Sequence, residues 1–134
     1  MNEGGCDPQG RFYCGSMAYD LSPGAGSLYR LDSDLTVHRA LDSVSIPNGL
    51  QCSSDGTRAF HADTGTGRID VYDFDAADGR LLVPRPFVTV NEADGAPDGT
   101  AIDDEGGLWV ALWGAVRCGD TTSTGRSARW WNSP

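Results

Sequence analysis

The chain has 134 residues, 39% of them hydrophobic, with 18 glycines and 7 prolines. This balance favours short strands joined by turns over long helices. No apolar run approaches the about 18 residues of a membrane helix, so we expect a cytoplasmic protein that does not associate with a membrane. The net charge of −9 argues against nucleic acid as a partner, because acidic surfaces repel phosphate backbones. The carboxylates would attract divalent cations, or would form a solvated surface that only aids solubility.

Three acidic turns, each ending in glycine and followed by an apolar strand, divide the chain into units. These segments lie at 7–15, 54–63 and 104–111. Their glycines are Gly10, Gly56 and Gly106, at intervals of 46 and then 50 residues. Turns of this composition are typical of hairpins, and self-similarity at such a period is typical of repeat architectures.

Each of the first two units continues with a strand that alternates apolar and polar residues, then a turn, then another strand. The alternating strands lie at 27–32 and 68–75, and the strands after them at 36–41 and 85–90. Four short strands in about 45–50 residues form one blade of a β-propeller. Because closed propellers have about 4–8 blades, the sequence predicts an all-β, incomplete fragment of two to three blades.

The last segment, 114–134, differs in character from 1–113, which we interpret as the partial propeller. Residues 1–113 hold seven arginines against 18 acidic residues, whereas 114–134 hold three against one. We therefore expect 114–134 to be a disordered, non-native continuation, such as a reading-frame shift produces; the alternative is a genuine basic tail. At the other end, Met1 lies directly beside a motif residue. We therefore expect that an internal methionine has been taken as the first residue.

Cysteines, histidines and tryptophans have mainly structural interpretations in this sequence. The four cysteines form no C-x-x-C pair, which argues against a zinc site and predicts free thiols. His61 lies inside a strand motif and is expected in the core or between blades. Trp109 and Trp113 bracket a strand, and we expect both to pack between blades.

Three oxygen-bearing residues recur at the start of successive units. Asn2, Asn48 and Asp98 stand 46 and 50 residues apart, the same intervals as the turn glycines. The first strand of a blade lines the central channel, so equivalent side chains converge on the propeller axis. Amide and carboxylate oxygens there would suit a hard divalent cation; alternatively, Asn-Gly and Asp-Gly are ordinary turn dipeptides.

Several motifs, in order and at matching spacing, resemble the gluconolactonase, regucalcin and luciferin-regenerating enzyme family. They lie at 2–17, 45–50, 59–64, 70–75, 97–103 and 105–113. The resemblance covers 1–113 and implies a six-bladed propeller that binds one divalent metal (Ca, Zn, Mg or Mn) on its axis and hydrolyses sugar lactones. It implies metal ligation by Asn48 and Asp98, with Asp98 also the catalytic base. It further implies substrate contacts by Asn2 and, with a poorer local match, Asp20.

The family's third metal ligand is a glutamate in a blade that this chain lacks. We therefore expect lactone hydrolysis by the parent protein, inactivity of this chain alone, and self-association through exposed blade faces. Two alternatives remain: a non-catalytic calcium-binding propeller module, and a non-functional truncated product.

Overall fold

The computed structural model describes residues 1–114, 117–121 and 128–132. Within these ranges the chain forms three four-stranded antiparallel sheets, each with its strands in sequence order. No helix in the described part is long and apolar enough to cross a membrane. The three sheets confirm the prediction of an all-β, incomplete propeller, and we call them blades 1, 2 and 3.

The strands of each blade follow the repeat that the sequence predicts. Blade 1 consists of β1 (Gly4–Cys6), β2 (Phe12–Ser16), β3 (Gly26–Leu31) and β4 (Val37–Val44). Blade 2 consists of β5 (Pro47–Cys52), β6 (Arg58–Asp63), β7 (Arg68–Asp75) and β8 (Arg80–Thr89). Blade 3 consists of β9 (Ala96–Ile102), β10 (Leu108–Trp113), β11 (Arg117–Thr121) and β12 (Ala128–Asn132). Two short 3₁₀ helices, Thr64–Thr66 and Glu92–Asp94, follow β6 and β8.

The last two strands lie in the segment 114–134, for which the sequence analysis expected no regular structure. There β11 pairs with β10 along its whole length, and β12 pairs with β11. The backbone of β10 thus has a ladder partner on both sides, as an interior strand requires. Residues 115–116, 122–127 and 133–134 lie outside the described residues, and the domain boundary after residue 113 stays a prediction.

The acidic turns have the geometry that their glycines predict. Gly10, Gly56 and Gly106 adopt φ of 83°, 67° and 81°, a left-handed conformation that glycine tolerates best. The turn of blade 2 is one residue longer, because the amide of Ser53 donates to the carbonyl of Arg58, five residues on, instead of four as in the other blades. Beyond the turn, equivalent residues therefore shift by one relative to the glycine spacing.

The apolar core lies between the blades. Blades 1 and 2 share a cluster whose buried members are Tyr13, Leu28, Leu50, Ala59 and Phe74. Blades 2 and 3 share a second cluster, of Phe60, Ala62, Ile69, Val71, Val90, Leu108, Val110 and Leu112. Burial of these side chains fixes the angle between blades, and hence the relative positions of their first strands.

Candidate functional site

Asn48 and Asp98 lie on the first strands of blades 2 and 3, and Asn2 lies just before the first strand of blade 1. A chain of hydrogen bonds runs from Asn2 to the residue before Asp98. Asn2 donates through Nδ2 to Oδ1 of Asn48, at 3.0 Å, and to the carbonyl of Pro47, at 2.9 Å. Asn48 in turn donates through Nδ2 to Oγ1 of Thr64, at 2.7 Å. The Thr64 hydroxyl donates to the carbonyl of Pro97, which precedes Asp98, at 2.5 Å. The network therefore holds the three blades in register at the channel.

A cavity of about 280 Å³ opens over this network. Asn2, Asn48 and Asp98 all line it. Three residues at the end of the second strand of each blade also line the cavity. Met17 and Thr64 directly follow that strand in blades 1 and 2, and Trp113 is its last residue in blade 3. Leu21 and Ile46 complete the wall. The repeat thus places two sets of equivalent residues around a single opening. One set comes from the start of each blade, and the other from the end of its second strand.

Asp98 is the one acidic side chain among the described residues that line this cavity. It is half-buried, and its carboxylate has no hydrogen-bond or ion-pair partner in the described part of the chain. Asn48, by contrast, is buried, with 8% of its surface exposed. The Asp98 carboxylate and the Asn48 amide oxygen, which accepts a hydrogen bond from Asn2, line the same cavity. Oxygens of these two kinds are ligands that a hard divalent cation takes. The donor set is nevertheless incomplete, since the described residues include no cluster of three or more His, Cys, Asp or Glu that could hold a metal.

Glu3 is a channel residue that the sequence analysis missed. Its Oε2 accepts a hydrogen bond from the amide of Gly49, at 2.7 Å, across the boundary between blades 1 and 2. A Cβ placed on Gly99 would lie 3.7 Å from its Oε1. The three blades have Glu3, Gly49 and Gly99 at equivalent positions, counted from the acidic turns. Because the two glycines carry no side chain, they leave space for the carboxylate of Glu3. The contrast between Asn-Glu and the later Asn-Gly and Asp-Gly pairs was a signal for this arrangement.

Asp20 is not brought together with the other predicted site residues. It lies exposed in the turn after β2, where Oδ1 accepts a hydrogen bond from the amide of Ser22, at 3.2 Å. Hydrogen bonds from the hydroxyl and the amide of Ser22 hold the pKa of the Asp20 carboxyl below its ordinary value. The next residue, Leu21, lines the cavity instead.

The two tryptophans differ from each other in their surroundings. The indole Nε1 of Trp109 donates to Asp103, at 2.9 Å. Trp113 is 70% exposed and lines the cavity, although the sequence analysis expected it to pack between blades. The reason is its position at the end of β10, where the strand leaves the inter-blade core.

His61 is a core residue, as the sequence analysis expected. It is 4% exposed, and its Nε2 has no hydrogen-bond partner in the described structure. Burial lowers the pKa of His61 to about 4, against the opposing effect of the carboxylates of Asp63 and Asp70. The imidazole is therefore neutral near pH 7.

The cysteines whose side chains the structure describes are free thiols: Cys6, Cys14 and Cys52. Burial raises the pKa of Cys52 to about 11, so this thiol is protonated and unreactive near neutral pH. The side chain of Cys118 lies outside the described residues.

Three packed four-stranded blades, with the first strands of successive blades in contact, define part of a β-propeller. The chain belongs to the SMP-30/gluconolactonase/LRE-like family, whose model matches residues 1–134. The matched range runs past the boundary that the sequence analysis placed after residue 113.

Curated relatives and solved structures support the same assignment. An L-arabinolactonase of Azospirillum brasilense is 38% identical over 120 residues, which are 87% of this chain and 40% of the relative. Regucalcin of Gallus gallus is 36% identical over 122 residues, covering 87% of this chain and 41% of the relative. The solved structure of a luciferin-regenerating enzyme has a TM-score of 0.86 and 38% identity, over 91% of this chain and 42% of that one. The structure of regucalcin of Agrobacterium tumefaciens, described as a calcium-binding protein, has a TM-score of 0.90 and 29% identity, over 99% and 45%. The chain thus spans about two-fifths of the length of the curated relatives that it matches.

Proposed function

We propose that this chain is part of a metal-dependent hydrolase of sugar lactones, located in the cytoplasm, with its site at the channel mouth. The observation that carries the proposal is the unpaired carboxylate of Asp98, which lines the same cavity as the hydrogen-bonded pair of Asn2 and Asn48. The name of the L-arabinolactonase relative supports a sugar lactone as the substrate.

Each polar residue of the site has a separate role in this proposal. Asn48 and Asp98 are ligands of a divalent cation (Ca, Zn, Mg or Mn), which when bound would polarise the lactone carbonyl. Asn2 binds the substrate through Oδ1, because its Nδ2 is already engaged. Asp98 is also the general base and accepts a proton from the attacking water. The water oxygen bonds to the carbonyl carbon, the ring C–O bond breaks, and the proton held by Asp98 passes to the leaving oxygen.

Asp20 was also predicted to contact the substrate, and this stays the least supported role. Its exposed turn lies next to Leu21, which lines the cavity. A substrate contact by Asp20 would therefore require the turn to move toward the cavity.

We propose further that this chain alone is inactive and self-associates through its terminal blade faces. Phe12 at the outer face of blade 1 is 41% exposed, whereas Ala59 and Leu108, at the equivalent positions of blades 2 and 3, are 0% and 1% exposed. This difference supports a neighbour that packs on blade 1. Exposed apolar faces of this kind favour association.

Two other functions remain candidates. A calcium-binding module without turnover is favoured by the description of the Agrobacterium regucalcin structure. A non-functional truncated product is the other alternative; its measurable consequence is absence of a folded, soluble 134-residue chain in cells.

The test is lactone hydrolysis by a chain that carries the remaining blades, with each metal in turn and with the metal chelated. We expect Asp98→Asn to lower the rate by about 10² to 10⁴, the range for loss of a general base. Asp104→Asn, at an exposed turn of the same blade, removes the same charge and should leave the rate unchanged. Full activity of the Asp98 variant would refute the proposal, and calcium binding without turnover would favour the module.

A further inference from the structure

A polar pair lies inside the interface between blades 1 and 2, away from the channel mouth. His61 on β6 and Asp70 on β7 are cross-strand partners. Both side chains lie on the face of blade 2 that packs on blade 1, because Ala59, two residues before His61, belongs to the core of that interface. His61 is 4% exposed, and its Nε2 has no hydrogen-bond partner in the described structure. The buried Oδ1 of Asp70 accepts no hydrogen bond from the described residues either, although it forms an ion pair with Nε of Arg68 at 2.9 Å.

The repeat itself does not require a polar pair at this position. The equivalent cross-strand pairs are Cys14 with Tyr29 in blade 1 and Val110 with Gly119 in blade 3. Neither of them contains a charged side chain. Polar atoms without partners are unfavourable in a protein interior, and such atoms in a folded chain indicate a bound water, ion or ligand. The pair in blade 2 is therefore explained better by a bound partner than by the fold.

A cavity of about 310 Å³ opens at this pair. His61 and Asp70 line it together with Arg68 and Tyr72, and residues 41–44 of β4 form the opposite wall. All of its lining residues belong to blades 1 and 2, so this chain alone supplies them. The volume reaches the lower end of the range of about 300–1,000 Å³ for small-molecule sites. His61 also lines a space of about 10 Å³ on the channel side, which holds at most one water, so only the larger cavity has room for a ligand.

The charges around the cavity favour a neutral ligand. Three carboxylates line it, those of Asp42, Asp63 and Asp70, and they disfavour an anion. The guanidinium of Arg68 pairs with Asp70 and disfavours a cation at that carboxylate. A hydroxyl group fits both unpaired atoms, because it can donate to Oδ1 of Asp70 and can either donate to or accept from Nε2 of His61, whichever tautomer is present.

Two buried rings at the cavity keep the protonation state that such a ligand needs. Burial lowers the pKa of His61 to about 4, so the imidazole is neutral near pH 7. Burial and the nearby carboxylate of Asp70 raise the pKa of Tyr72 to about 12. The Tyr72 hydroxyl therefore keeps its proton and can donate to a ligand oxygen.

We propose that this cavity between blades 1 and 2 binds a small neutral polyhydroxy compound, such as a monosaccharide or a sugar alcohol, at a site separate from the channel mouth. One ligand hydroxyl donates to Oδ1 of Asp70, and a neighbouring hydroxyl pairs with Nε2 of His61. The Tyr72 hydroxyl donates to a third ligand oxygen. The site uses neither Asp98 nor a cation, so it is independent of the proposed lactone hydrolysis.

The test is a titration of the 134-residue chain with D-glucitol, followed by two-dimensional NMR of the imidazole nitrogens. The chain has two histidines, and the exposed His38, which pairs with Asp32, serves as an internal reference. We expect a saturable shift of the Nε2 resonance of His61 and none at His38. Propanol should give no saturable shift, because its single hydroxyl does not reach both unpaired atoms. An unchanged His61 resonance at high D-glucitol would mean that water alone enters the cavity and would overturn the inference.

Matched variants separate this site from effects at the surface. His61→Val and Asp70→Asn should each weaken the binding of D-glucitol at least about fivefold, the effect of losing one hydrogen bond. The controls are His38→Val and Asp73→Asn, since Asp73 is also on β7 but is exposed and pairs with Arg85. Both controls should bind D-glucitol as the original chain does. Equal affinities of the site variants and the controls would overturn the inference, and the resonance of His61 in the unsubstituted chain decides it where a variant does not fold.

Discussion

Replacement of His61 by valine should make the stability of the chain less sensitive to acid. His61 lies in β6, 4% exposed, opposite Asp70 on β7. Val110, at the equivalent position of blade 3, is 1% exposed. Valine therefore suits both the strand and its burial at this position, and His61→Val removes one buried titratable group without a large change in volume.

The magnitude follows from the pKa of His61, which burial lowers from 6.5 to about 4. Because the folded-state pKa is below that of the unfolded chain, protons bind the unfolded state more tightly. The stability associated with neutral His61 is thus present above pH 6.5 and is lost as the pH falls toward 4. Between pH 7 and pH 5 the loss is about 2 kcal/mol, and below pH 4 it approaches about 3 kcal/mol.

The assay is urea denaturation followed by tryptophan fluorescence, for both proteins, at pH 7 and pH 5. The same carboxylates are present in both chains. The pH-dependent loss of unfolding free energy in the original chain, minus that in the variant, is therefore the contribution of His61. We expect the original chain to lose about 2 kcal/mol more than His61→Val over this interval. An equal loss in the two chains would show that His61 titrates near its ordinary pKa and is not buried as described.

Two further substitutions test the packing between blades. A Cβ on Gly49 would lie 2.3 Å from Oγ1 of Thr100, whereas a Cβ on Gly56 meets nothing within 4 Å, and both glycines have positive φ. Gly49→Ala should therefore cost about 1–3 kcal/mol more than Gly56→Ala in urea denaturation; equal costs would contradict the close contact of blades 2 and 3. Tyr13→Phe removes the hydroxyl that donates to the carbonyl of Gly79, at 2.8 Å, and should lower the free energy of unfolding by about 1 kcal/mol. An unchanged denaturation midpoint would argue against this bond between blades 1 and 2.

The repeat and the channel residues could be predicted because they follow from spacing alone. Equal intervals between Asn2, Asn48 and Asp98 and between the turn glycines identify equivalent positions, and a propeller places equivalent positions around one axis. No knowledge of side-chain packing is needed for this step.

The rest of the cavity depends on loops and on local insertions that spacing does not reveal. The extra residue in the turn of blade 2 shifts the register of β6, so Met17, Thr64 and Trp113 are not at the intervals of the glycines. Leu21 reaches the cavity, and Asp20 does not, because of the backbone conformation of a single turn. Side-chain direction there is set by φ and ψ, which the residue types around the turn do not determine.

The most direct test of the account is calorimetric titration of the 134-residue chain with calcium and with zinc. The same titration is made for Asp98→Ala, Asn48→Ala and the exposed-turn control Asp104→Ala. The proposed site predicts cation binding, weakened by the incomplete donor set, that the first two substitutions abolish and the control retains. Binding that survives both Asp98→Ala and Asn48→Ala would contradict a cation site at the channel mouth.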